Sequence, residues 1–253
     1  MKIDNCINDF VDCDVCFLGI PLIKSRTPNK LTYKGPDILR FAINNKDDFD
    51  LKSGKNVFDE IKMCDLGNKL SIKGLSKEYL NQKLFFFGGE HTITKLVMDE
   101  FLDKFGDFHF VIFDAHLDLR TGWEDNACFL RSIVERLPKN RVHLVGQRAY
   151  SKEEYDFIKS KGLKIEKNVN LRNKKVYISF DIDVVDSVFV PTCSTPEPFG
   201  KSLEYYNKSL IKLVKNNKLL GIDFVEFSGK EHDITYSNIA SVVINILKTL
   251  LLK

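Results

Sequence analysis

Acidic residues and histidines gather at four places in the chain, each directly after a short apolar run. Leu84–Phe87 runs into Gly88-Gly89-Glu90-His91. Val111–Phe113 runs into Asp114-Ala115-His116-Leu117-Asp118. Val176–Phe180 runs into Asp181-Ile182-Asp183, with Asp186 just beyond. Gly221 and Ile222 run into Asp223-Phe224-Val225-Glu226. In extended backbone, residues two apart project to the same side. Asp114, His116 and Asp118 therefore converge if that geometry persists past the apolar run, and so do Asp181 and Asp183. With His91 they bring two imidazoles and four carboxylates to one place. Crowded carboxylates repel unless positive charge sits among them, and two divalent cations supply it. An oxygen-rich set with some imidazole and no thiolate suits manganese or a similar ion better than structural zinc. Any one D-x-D is commonly a turn or a helix cap, and a lone histidine is commonly a surface residue. The joint occurrence after successive apolar runs carries the metal reading.

These groups need a frame. The expected strands are Val15–Ile20, Lys83–Phe87, Phe108–Phe113, Val142–Val145, Val176–Phe180 and Leu219–Phe224, several apolar almost throughout, as befits strands covered on both faces. Between them the patterns predict helices at Pro36–Asn44, Thr92–Phe105, Ala127–Arg136, Lys152–Lys161, Leu203–Asn216 and Ile234–Leu252. Pro36 suits a first helical turn, and Ser151 with Glu154 has the spacing of a capping box. Alternating strands and helices imply a parallel sheet between helical layers, which binds ligands beyond the carboxyl ends of its strands. The chemistry-bearing residues fall there. No internal repeat or linker interrupts the pattern, so residues 1–253 read as one domain.

Composition narrows the rest. The chain has 253 residues, 43% of them apolar, and a net charge of +3, enough for a substantial core. It has no dense basic run, which makes nucleic acid an unexpected partner. The start carries Asp4 and Asp9 rather than an apolar leader, and Ile239–Leu252 is broken by Ser241, Asn245 and Lys248. No membrane association and a cytoplasmic location are therefore expected. The six cysteines are too sparse for a disulfide scaffold. Cys13 and Cys16 form an isolated C-x-x-C and read as small apolar residues entering a strand.

The blocks GGEH, DAHLD, SFDID with the later TPEP, and Asp223–Glu226 resemble the signature blocks of the ureohydrolase family, which includes arginases and agmatinases. Gly19-Ile20-Pro21 and Gly35-Pro36 with Arg40 fit the family's beginning, so the resemblance spans nearly the whole chain. It implies a three-layer α/β/α sandwich with a central parallel sheet of about eight strands. It implies two manganese ions, one held by His91, Asp114, Asp118 and Asp181, the other by His116, Asp114, Asp181 and Asp183. A hydroxide held between them would attack the guanidinium carbon, releasing urea and an amine. Asp118 would orient it and pass on its proton, and Glu226 would bind the guanidinium. A homotrimer or homohexamer is implied, acting on a small guanidino substrate with agmatine favoured.

The chain also departs from the family. Asn126 stands where agmatinase-like members carry a histidine, as a substrate contact that cannot move a proton near neutrality. The loop Thr192-Cys193-Ser194 lacks two glycines and must avoid positive φ. Glu90 replaces the usual aspartate. Glu124 or Asp125 could face an amine tail, Trp123 could wall the pocket, and Arg148 reads as structural. His109, His143 and His232 read as non-ligands. The alternatives are a hydrolase of another guanidino or formimino substrate, and a metal-retaining homologue with low turnover kept for binding or regulation.

Overall fold

A computed structural model of the chain describes residues 1–4, 6, 12–24, 31–73, 82–122 and 127–253. The strands are β1 (Val15–Ile20), β2 (Phe49–Asp50), β3 (Lys55–Asn56), β4 (Met63–Asn68), β5 (Lys83–Gly88), β6 (His109–Phe113), β7 (Val142–Val145), β8 (Ile165–Glu166), β9 (Lys175–Asp181) and β10 (Lys218–Val225). Eight of them form one sheet in the order β4-β1-β5-β10-β9-β6-β7-β8. Every pairing in it is parallel. β2 and β3 make a separate antiparallel hairpin.

The apolar runs become strands because helices cover both faces. In β1, Val15 and Phe17 enter one core while Cys16, Leu18 and Ile20 enter the other. The first core takes buried residues from the helices Gly35–Asn44, Leu203–Asn216 and Ile234–Leu251. The second takes them from Ile93–Phe105, Phe129–Arg136 and Lys152–Lys161. This is the expected α/β/α sandwich. The helix Ile234–Leu251 is long and apolar enough to cross a membrane, but it packs against Gly35–Asn44 and Leu203–Asn216 and buries Ile239, Val243 and Leu247.

All six expected strands and all six helices lie within two residues of their expected bounds at each end, and β1, β7, Lys152–Lys161 and Leu203–Asn216 match them. The capping box at Ser151 and Glu154 is formed in full. β4 and β8 escaped the sequence reading. Both lie at sheet edges, where a strand needs one partner and less apolar surface. β4 is half exposed towards its end and β8 has only two residues.

Topology places the site. The chain leaves β5 and resumes at β6 three positions away, and β10 and β9 later fill the gap of two strands. Such reversals open a crevice at the carboxyl ends of the strands. The central strands β5, β10, β9 and β6 stand side by side there. They carry GGEH, Asp223 to Glu226, Asp181 to Asp183 and DAHLD respectively.

Arg40 braces the β1–β4 edge. It is fully buried and holds Asp65 through two nitrogens, at 2.7 and 2.9 Å, while also bonding Asn68 at 2.6 Å and the Gly67 carbonyl at 3.0 Å. A bidentate pair with its remaining donors satisfied is the arrangement in which a buried charge is tolerated.

Candidate metal centre

The expected convergence occurs, but not by continued strand. β6 ends at Phe113 and β9 at Asp181, and Ile182–Val184 form a 3-10 turn. Backbone amides bend the chain instead. Asp114 accepts from the His116 amide at 2.6 Å, Asp181 from the Asp183 amide at 2.9 Å, and Asp183 from the Ala115 amide at 2.9 Å. Each carboxylate thus spends one oxygen on a neighbouring N–H and keeps the other for the cleft. Asp118 and Glu226 adopt left-handed backbone, with φ of 49° and 68°. Non-glycine residues hold such angles at about 1–3 kcal/mol each, and they concentrate at functional sites. The Glu226 turn is pinned at both ends: its amide donates to the Gly89 carbonyl at 2.9 Å, and its carbonyl accepts from the Ser194 amide at 2.8 Å.

Two groups of side chains result, sharing Asp114. In the first, His91 Nδ1 lies 3.1 Å from Asp114 Oδ2, 3.0 Å from Asp181 Oδ2 and 3.6 Å from Asp118 Oδ2. In the second, His116 Nδ1 lies 2.7 Å from Asp183 Oδ2 and 3.7 Å from Asp114 Oδ1. His91–Asp114–Asp118 and Asp114–His116–Asp183 each present donor atoms close enough to share one ion. His91 Nδ1 and Asp114 Oδ2 are buried, and neither has a hydrogen-bond partner among the described residues. Polar atoms orphaned in this way and aimed at one another fit a cation between them. The donors, carboxylate oxygen with imidazole nitrogen, suit a hard or borderline divalent ion.

The electrostatics agree. Burial raises the Asp114 carboxyl, and the Asp183 charge adds to it. Burial with the Asp114 charge holds Asp118 well above the ordinary range, and burial with Asp183 does the same for Asp181. For Asp183, burial is outweighed by His116 and the Ala115 amide, so its carboxyl falls. Burial also opposes protonation of the imidazoles, yet the facing carboxylates win. They lift His91 well above its usual value and His116 to about 11. The cluster demands positive charge.

A polar layer beneath the cluster orients it. His91 Nε2 meets Ser179 Oγ at 2.9 Å, and Ser179 donates to Asp223 Oδ1 at 2.7 Å. Asp223 Oδ2 accepts from Tyr177 at 2.7 Å and Thr94 at 3.1 Å. Asp223 thus stands behind the cluster, and burial raises its carboxyl. The Phe129 ring lies 4.5 Å from the His91 ring, centroid to centroid, and limits its rotation. Ser179, Tyr177 and Thr94 escaped the sequence reading. Ser179 is a polar residue inside an apolar strand, and that was the available signal.

The cluster opens into a cleft of about 200 Å³ lined by His116, Asp118, Glu154, Asp181, Asp183 and Glu226, with Arg120 and Thr195 also on its walls. Glu226 accepts the His91 amide at 2.7 Å, and burial pushes its carboxyl up to about 7. One further acid lines the cleft and a second stands beside it at His116. Glu154, seen in the sequence only as a cap, accepts from the Leu119 amide at 3.1 Å. Glu197 in the TPEP block reaches His116 Nε2 at 3.2 Å.

The other singled-out residues fall as follows. Glu90 is buried and accepts from Thr92 Oγ1 at 2.7 Å and from the Lys24 amide, so it ties down the segment after β1 rather than joining the cluster. Asp186 caps a turn through the Val188 amide at 3.1 Å. Arg148 donates to the carbonyls of Asp183, Val184, Glu197 and Pro198 and clamps the loop behind the second group. Thr192–Ser194 avoids positive φ, and Thr192 Oγ1 bonds Asp233 at 2.7 Å and Thr235 at 2.8 Å. His109 and His143 stand apart from the cluster but pair with each other at 3.0 Å, and His143 pairs with Glu166 at 2.7 Å. Trp123, Glu124, Asp125 and Asn126 lie outside the described residues.

Known proteins resemble this chain along its length. An agmatinase from Pyrococcus horikoshii is 29% identical over 250 residues, covering 87% of this chain and 86% of that protein. An N(1)-aminopropylagmatine ureohydrolase from Thermococcus kodakarensis is 28% identical and covers 85% and 82%. The crystal structure of agmatine ureohydrolase from Thermoplasma volcanium superposes with a TM-score of 0.85 at 24% identity, over 99% of this chain and 94% of that one, and shows the shared fold. A model of the Arginase family matches residues 13–249, so the chain belongs to that family and is an amidinohydrolase.

Proposed function

We propose that the chain is a binuclear manganese hydrolase that cleaves a small guanidino compound, agmatine in the first place, to urea and an amine. The observation that carries this reading is the pair of donor groups sharing Asp114, set in a cleft that also holds Glu226. His91, Asp114, Asp118 and Asp181 would hold one ion, and His116, Asp114, Asp181 and Asp183 the other. When bound, two divalent cations neutralise the crowded carboxylates and make water at the site acidic enough to act as nucleophile near neutral pH. Glu226 pairs with the planar guanidinium and holds its carbon in line. Its raised carboxyl ionises readily once a cation stands opposite. Asp118, bordering the cleft at its strained turn, orients the attacking water and passes the proton to the leaving nitrogen.

The second cation of agmatine supports its choice over arginine. Glu197, 3.2 Å from His116 Nε2 beside the cleft, would attract an amine tail while repelling an α-carboxylate. The Thermococcus kodakarensis relative is named for a longer guanidino-amine, which makes an extended tail the first alternative. The low-turnover reading rests on Asn126 and the altered Thr192–Ser194 loop, and Asn126→His tests it: a rise in urea release marks a weakened enzyme. The deciding experiment loads the protein with Mn2+ and measures urea from agmatine, with Asp183→Ala as control. Metal-dependent urea that the control lacks supports the reading, and retention of both metals and activity by Asp183→Ala overturns the ligand set. A homotrimer or homohexamer in the cytoplasm is part of the same proposal.

A further inference from the structure

Three thiols meet at the opposite end of the sheet. Cys16 and Cys64 are the second residues of β1 and β4 and are register partners in that parallel pair. Partners one strand spacing apart, about 4.8 Å, send their side chains off the same face. Cys13 lies just ahead of β1, where the Asp14 amide donates to the Lys62 carbonyl at 2.7 Å and draws that segment against the start of β4. Cys13 Sγ consequently stands 2.9 Å from Cys64 Sγ, and all three sulfurs lie within 4.8 Å of one another. Their residues are buried, at 7, 0 and 1% exposure, in the core that also takes Leu18, Ile20 and Leu84. The isolated C-x-x-C of the sequence gains its missing partner from a strand the sequence reading did not find.

Sulfurs that share one ion at about 2.3 Å sit about 3.8 Å apart in a tetrahedral arrangement. The three sulfurs, none more than 4.8 Å from another, are gathered closely enough to share one ion. At 2.9 Å the Cys13 and Cys64 sulfurs are close enough for one thiol to hydrogen-bond the other, so both are turned towards a common point. A disulfide would employ two of the sulfurs and leave the third idle.

We propose that Cys13, Cys16 and Cys64 form a thiolate site for a soft d10 cation of the zinc class, separate from the carboxylate cluster. Such an ion cross-links the segment ahead of β1 to the edge strand β4. Ligand softness keeps the two sites apart: manganese-type ions favour the oxygen-rich cluster, and zinc-type ions favour the sulfurs. The proposal does not depend on the reaction at the cleft.

The test uses Co2+ as the probe on the reduced, metal-stripped, full-length chain. Cobalt bound by thiolates gives an intense near-ultraviolet charge-transfer band, and cobalt bound by carboxylates and imidazoles does not. The expected result is one equivalent of that band in both the unmutated protein and Asp183→Ala, its disappearance in Cys16→Ser and Cys64→Ala, and bleaching by one equivalent of Zn2+. Zn2+ should also raise the melting temperature of Asp183→Ala. A folded, reduced Asp183→Ala that gives no such band overturns the proposal, whatever the cysteine variants do. Recovery of a Cys13–Cys64 disulfide by peptide mapping of freshly isolated protein overturns it as well.

Discussion

Ser179→Ala isolates the layer beneath the metal cluster. The residue is fully buried, and its hydroxyl is the one link between His91 Nε2, at 2.9 Å, and Asp223 Oδ1, at 2.7 Å. Deleting it leaves the imidazole nitrogen and one carboxylate oxygen unpaired in a dry interior. A hydrogen bond to a charged group contributes about 1.5–3 kcal/mol. Asp223 keeps Tyr177 and Thr94 on its other oxygen, so the fold survives. A melting temperature lower by about 4–8 °C follows from a loss of about 2 kcal/mol in a chain this long. The effect on metal is more diagnostic. Groups that orient a ligating histidine are worth about 10–100-fold in metal affinity. Titration with Mn2+, followed by the electron paramagnetic resonance of free ion, should show the dissociation constant of the His91 site weakened by that factor. A variant that melts lower yet binds Mn2+ within twofold of the unmutated protein refutes the orienting role and reduces Ser179 to packing.

Other perturbations probe other parts. Arg40→Lys removes the two-pronged hold on Asp65 that a single ammonium cannot reproduce, and chemical denaturation should show a loss of about 3–5 kcal/mol. Full retention of stability would mean that Asp65 is satisfied without the fork. Gly146 holds φ of 98°, and a Cβ there would stand 2.3 Å from Val184 Cγ2, so Gly146→Ala should displace the loop clamped by Arg148 and depress activity along with stability. His109 has its imidazole lowered from 6.5 to about 4 by burial and then by the His143 charge. The folded state therefore binds fewer protons than the unfolded chain in this range. Stability from this group is full above pH 6.5 and declines as the pH falls towards about 4. His109→Gln should flatten the melting temperature across that interval, and an NMR titration placing His109 near 6.5 would contradict the assignment.

The sandwich was legible because strands buried on both faces write long apolar runs, as Leu84–Phe87 and Val176–Phe180 do. The cluster was legible because its residues sit within a few positions of those runs. What escaped depended on contacts distant in sequence. Ser179 and Asp223 are 44 residues apart, and Glu197 reaches His116 across 81. The expected geometry was also wrong in detail, since amide bonds and a 3-10 turn, not extended backbone, bring Asp114, His116 and Asp183 together. Glu90, which stands where the family has aspartate, anchors Lys24 and Thr92, contacts that its position in the sequence does not show. Cys64 could not be joined to Cys13 and Cys16 because the edge strand that carries it is apolar only at its start and half exposed towards its end.

The central claim concerns guanidinium hydrolysis at the cluster, and urea release tests it most directly. The protein, loaded with Mn2+ and shown to hold two ions per chain, would be offered agmatine, N(1)-aminopropylagmatine, arginine and guanidinobutyrate. The account predicts metal-dependent urea from an amine-tailed substrate, agmatine foremost, and none from Asp183→Ala. Two bound ions with no urea from any of the four would contradict it.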